Sequence, residues 1–126
     1  MADFDGFVTF VHTPDLDRAA QFYGDSLGLP RVLDEGPAKT YRVSNQGFLG
    51  VCIESDSPRR RVPEGVCLTL VTDDVDGVYR RLTERGVRKE GAPHALPQFG
   101  VYILLVKDPD GHTIEVQRFE NPACKG

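Results

Sequence analysis

Phe7-Val8-Thr9-Phe10-Val11-His12-Thr13-Pro14-Asp15-Leu16-Asp17, FVTFVHTPDLD, lies without a gap over Val66-Cys67-Leu68-Thr69-Leu70-Val71-Thr72-Asp73-Asp74-Val75-Asp76, VCLTLVTDDVD. Each stretch begins with β-branched and apolar residues and ends in a Thr/Asp cluster. That is a strand running into a helix cap. The chain therefore restarts halfway, and the period is long enough for a whole supersecondary unit to repeat.

Working outward, each half reads β-α-β-β-β. In the first, Thr13 or Asp15 can cap a helix. Leu16, Ala19, Ala20, Tyr23 and Leu27 recur at helical spacing, and Gly28 stops it. PRVLDE, KTYRVS and GFLGVCIES follow as strands, the last two joined by the turn SNQG. In the second half VCLTLV (66–71) is a strand, and Val75, Val78, Tyr79 and Leu82 give the stripe of a helix ended by Gly86. VRKEG reads as a short strand, 90–98 as a long loop able to cover a site, and FGVYILLVK and HTIEVQRF as strands joined by DPDG. A curved four-stranded sheet with one helix leaves its other face open. Two such modules, about 5–56 and 64–120, are expected to build a single α+β domain over 1–126, a curved mixed sheet with helices on the convex side and a concave cleft.

Composition narrows the function classes. The chain has 126 residues and a net charge of −4, without the basic balance of a nucleic-acid binder. Its one basic cluster, Arg59-Arg60-Arg61, reads as a solvated loop or an anion contact. Three cysteines, Cys52, Cys67 and Cys124, with no CxxC, do not make a disulfide framework. No apolar run is long enough to span a membrane, and no leader pattern follows Met1, so a reducing cytoplasm is expected. No phosphate loop, nucleophile elbow or HExxH occurs.

In TIEVQ the alternation places Ile114 and Val116 toward the helices, with Thr113, Glu115 and Gln117 toward the cleft. Glu115 reads either as a ligand-binding carboxylate or general base, or as a water-satisfied residue on an open face. His112 is an odd number of residues from Glu115 and is read as a surface histidine at the end of a turn. His12 shares a strand face with Val8 and Phe10. It is read as a ligand or acid–base group, or as a rim histidine. His94 is read as solvated. Cys67 is read as a small apolar filler, with no base placed beside it. Phe10, Phe99 and Tyr102 are read as pocket lining or as core.

TPDLDRAAQFYGDSLGL, VTDDVDGVYRRLTERGV and FGVYILLVKDPDGHTIEV, in that order and over nearly the whole chain, resemble the vicinal oxygen chelate superfamily: glyoxalase I, extradiol dioxygenases, fosfomycin-modifying enzymes and bleomycin-resistance proteins. The resemblance implies a divalent metal held by His, Glu or Gln from the first and last strand of each module. Those positions fall on Val8, on Gly50 or Val51, on Cys67 and on Glu115. Only Glu115 is an ordinary ligand, and a divalent ion needs about three or four. Phe99-Gly100 is similar to the family's Trp-Gly, with Tyr102 where an Arg is common. The expectation is a metal-free, cofactor-free small-molecule binder of the bleomycin-resistance type. The resemblance further implies a homodimer, and no nucleic acid or membrane partner is expected. Its ligand-binding residues would be Phe10, His12, Cys67, Thr69, Phe99, Tyr102, Glu115 and Gln117. The alternatives are a metal-dependent lyase or dioxygenase centred on Glu115, or a regulatory partner using only a dimer surface.

Overall fold

The computed structural model describes residues 6–54 and 66–120. Arg59-Arg60-Arg61 and Cys124 lie outside them. The chain forms two compact units, one from each half.

The first unit runs β1 (Phe7–Thr13), α1 (Leu16–Ala20), a π-helical turn (Gln21–Ser26), β2 (Arg31–Asp34), β3 (Ala38–Ser44) and β4 (Gly47–Ile53). The second runs β5 (Leu68–Val71), α2 (Val75–Glu84), β6 (His94–Leu96), a 3-10 turn (Pro97–Phe99), β7 (Val101–Lys107) and β8 (Thr113–Phe119). Each unit builds an open four-stranded mixed sheet, ordered β1-β4-β3-β2 and β5-β8-β7-β6. In each, the first strand pairs in parallel with the last and the remaining pairs are antiparallel.

The repeat extends to the helix caps. The Thr13 hydroxyl accepts from the Asp15 amide at 3.1 Å, and the Asp15 carboxylate accepts from the Arg18 amide at 3.1 Å. Thr72 does the same for Asp74 at 3.1 Å, and Asp74 accepts from Gly77 at 3.0 Å. Each T-x-D unit thus orients its cap residue and satisfies a first-turn amide. At Gly77 a Cβ would overlap the Asp74 carboxylate as it is placed, so a side chain there would make the cap shift.

The first helix departs from regular spacing. After one turn it widens, and the Leu27 amide donates to the Phe22 carbonyl at 2.8 Å. This extra residue per turn brings neighbours Phe22 and Tyr23 into the core together, ring centroids 4.9 Å apart and nearly perpendicular. The regular stripe had left Phe22 out. α1 packs on β4, and α2 packs on β7 and β8 with Val75 and Leu82 fully buried.

Other expectations change. The strand at 66–71 begins only at Leu68. VRKEG makes a single bridge, Lys89 to Val106, rather than a strand. The expected loop at 90–98 contains β6 and leads into the 3-10 turn, because Ala95 and its neighbours pair with β7.

His112 is buried, not at the surface. Asp108 folds back over the DPDG turn. One carboxylate oxygen accepts from the amides of Asp110 (2.9 Å) and His112 (2.8 Å), and the other meets the His112 ring Nδ1 at 2.8 Å. A carboxylate only accepts, so Nδ1 carries the proton. Gly111 takes the positive φ of the turn, +93°. His112 is a structural residue of the hairpin.

Candidate functional site

Strand register decides which side chains share a face. In the second unit Thr69 pairs with Glu115, Val71 with Gln117, Leu105 with Glu115 and Ile103 with Gln117. These side chains lie opposite α2. Ile114 and Val116 are buried on the helix side, as the alternation requires. Glu115 is half-buried, and its carboxylate accepts from the Thr69 hydroxyl at 3.1 Å. Cys67 Sγ lies 3.7 Å from the same hydroxyl. Gln117 is buried on this face. Cys67, Thr69 and Glu115 therefore cluster, and Gln117 shares the face of Thr69 and Glu115.

Cys67 is exposed and precedes the strand, so it is not a core filler. Desolvation by its neighbours, followed by the Glu115 carboxylate beside it, raises the thiol above its ordinary range. Negative charge close by disfavours a thiolate. Glu115→Gln is accordingly expected to speed alkylation of Cys67 by iodoacetamide at pH 8, read by peptide mass spectrometry. An unchanged rate would separate the two groups.

Tyr102 does not belong to this face. It pairs with Arg118, in line with Leu104–Val116 and Val106–Ile114, and so points to the helix side. Its hydroxyl donates to Asp76 of α2 at 2.7 Å, and the Arg118 guanidinium lies 4.8 Å from its ring centroid. The hydrogen bond to Asp76 is the main cause of a raised phenol pKa. Tyr102 straps α2 to the sheet. Phe99 sits in the 3-10 turn, 70% exposed. His94 is exposed, its Nδ1 3.1 Å from the Ala92 carbonyl.

In the first unit the open face carries Val8, Phe10 and His12 of β1. Their register partners on β4 are Phe48, Gly50 and Cys52, and Arg42, Thr40 and Ala38 follow on β3. Val51 is fully buried on the helix side, so the position left between Gly50 and Val51 falls on Gly50. The repeat matches Phe10 to Thr69. Phe10 pairs with Gly50 as Thr69 pairs with Glu115. Gly50 therefore stands where the second unit has its carboxylate. The Phe10 ring fills the vacated space, and a Cβ on Gly50 would overlap it.

The family's metal does not fit this donor set. Val8 and Gly50 offer no ligand atom. Glu115 accepts from Thr69, and Cys67 is a soft donor held as a thiol. Hard divalent ions prefer several oxygen or imidazole ligands. Asp108, Asp110 and His112 also bring ligand-type atoms within 4.8 Å of one another, but Asp108 serves the turn with both oxygens.

Arg42 and Phe48 were not expected at a site. The guanidinium lies 5.0 Å from the Phe48 ring centroid. The alternation of Thr40 and Arg42 in KTYRVS was the available signal, but only the register joins it to Val8 and Phe10.

Comparison with known proteins agrees with this architecture. A family model described as the Glyoxalase/Bleomycin resistance protein/Dioxygenase superfamily matches residues 7–116. Uncharacterized protein YraH of Bacillus subtilis (strain 168) is 28% identical over 115 residues, covering 82% of this chain and 90% of YraH. The crystal structure of a superfamily member from Sphaerobacter thermophilus DSM 20745 is similar with a TM-score of 0.76 and 27% identity, covering 90% of this chain and 95% of that one. Lactoylglutathione lyase from Agrobacterium tumefaciens shares the fold with a TM-score of 0.66 and 23% identity, over 89% of this chain and 91% of that one. Among the described residues no helix is long and apolar enough to cross a membrane. With its repeated β-α-β-β-β units and a family match over most of its length, this chain belongs to the glyoxalase/bleomycin resistance protein/dioxygenase superfamily.

Proposed function

We propose that this protein binds a small organic molecule without a divalent metal, as a homodimer. The observation that carries the reading is Gly50 under the Phe10 ring, in the register position that Glu115 holds in the second unit. A metal needs donors from each half of the repeat, and in the first half the last-strand position is a glycine under an aromatic ring. Glu115 then serves as an acceptor for a ligand N–H or O–H. The Thr69 hydroxyl donates to one of its oxygens and the Cys67 thiol lies beside the same carboxylate, so the acceptor is held in place. The dimer rests on the family resemblance.

Elemental analysis of the purified protein is expected to find no stoichiometric Ni, Zn, Fe or Mn. Equilibrium dialysis against aromatic amines and polyols is expected to show binding that chelator leaves unchanged. Glu115→Ala should weaken that binding about tenfold or more, the usual effect of removing a charged hydrogen-bond acceptor. A bound metal lost together with a lyase or dioxygenase activity in Glu115→Ala would establish the metal-dependent alternative instead.

A further inference from the structure

We infer that the open face of the first sheet takes a flat aromatic molecule bearing an anionic group, its anion on Arg42 and its ring on Phe10. The inference rests on the small-molecule reading and names a ligand class for this face.

Among the described residues this face is largely apolar around Val8, Phe10 and Phe48, with Arg42 beside them. Val8 is 46% exposed, Phe10 49% and Leu33, beside Thr40, 49%. Val8, Phe48 and Arg42 form one cross-strand row; Phe10, Gly50 and Thr40 form the next. Neighbouring strands are about 4.8 Å apart, so both rows lie within the span of a fused-ring molecule. Phe10 lies over Gly50 and is half exposed, so its ring is open to stacking.

Arg42 is positioned but not neutralised. One guanidinium N–H donates to the Asn45 carbonyl at 3.1 Å, and the group lies over Phe48. Among the described residues no carboxylate pairs with it, and its other donors have no protein acceptor. Guanidinium has five N–H donors in a planar fork, enough to bind a carboxylate or sulfonate through two parallel bonds. A cation held over an aromatic ring, at the edge of an apolar face and without a counter-charge, complements an anion.

The chain has no tryptophan, so the fluorescence of 2-naphthoate can be followed without overlap from that residue. In Glu115→Ala, which lacks the second unit's acceptor for amines, 2-naphthoate is expected to bind, and 2-naphthylmethylammonium to bind at least tenfold more weakly. Arg42→Gln should weaken 2-naphthoate about tenfold or more. Arg42→Lys should also weaken it, because an ammonium cannot reproduce the fork. Phe10→Ala should weaken 2-naphthoate by about three- to tenfold and cyclohexanecarboxylate less. Equal binding of the cation, no 2-naphthoate binding at millimolar concentration, or no effect of Arg42→Gln would overturn the inference. If amines still bound through Glu115 without metal, the small-molecule reading would survive that failure. A metal requirement for every ligand would overturn that reading itself. If Phe10→Lys converted a dimer to monomer and 2-naphthoate did not bind, a second copy would be the occupant, which also overturns the inference.

Discussion

Asp108→Ala is expected to destabilise the second unit by about 3–5 kcal/mol, because it removes one partner of a buried, hydrogen-bonded pair. Asp108 is only 3% exposed, and its carboxylate accepts from two backbone amides and from the His112 ring. Alanine leaves those donors in a place where water cannot fully replace the acceptor. A domain of this size has roughly 5–15 kcal/mol of stability, so the loss is a large share of the whole. Asp108→Asn makes the sharper comparison. Its amide oxygen can keep both backbone bonds, while its NH2 group faces the ring nitrogen, which must then change tautomer to accept. Urea titration should place Asn well above Ala in midpoint. Equal midpoints would mean that the turn does not depend on the carboxylate.

Leu82→Ala should cost about 2–5 kcal/mol. Leu82 is fully buried on α2, the helix that covers β7 and β8. Truncation removes the transfer energy of the lost carbons and leaves a cavity lined by well-packed strands. Leu82→Met nearly conserves volume and should cost under about 1.5 kcal/mol. Thermal unfolding of the two variants separates packing from helix propensity, since both are good helix formers. Midpoints for Leu82→Ala within a degree of the parent would show that α2 does not close this core.

Much of the architecture was legible in the chain. FVTFVHTPDLD and VCLTLVTDDVD predicted the duplication, and the structure shows the same strand order in both units. Asp15 and Asp74 cap the helices as the Thr/Asp clusters required. The alternation in TIEVQ placed Ile114 and Val116 against the helix side and Glu115 and Gln117 on the other face. The reason is that strand alternation is a local property with a period of two. The π-helical turn was not legible, because spacing rules assume a constant residue count per turn. Only packing shows that Phe22 and Tyr23 are buried side by side.

The candidate site divides along the same line. Thr69 and Glu115 could be grouped from their strands, but alternation along one strand does not say which residues of a neighbouring strand share its face. That needs the neighbour's register, and it moved Tyr102 to the helix side through its pairing with Arg118. Turn composition identified DPDG without revealing that Asp108 would fold back and bury His112. By itself the sequence determined the modules, the caps and the alternation, all of which depend on residues a few positions apart. Tertiary structure decided that Gly50 lies under Phe10, that Cys67 stays exposed near Glu115, and that Arg42 joins an aromatic row. Those facts depend on hydrogen-bond register between strands distant in sequence, and a shift of one residue would have reversed each face.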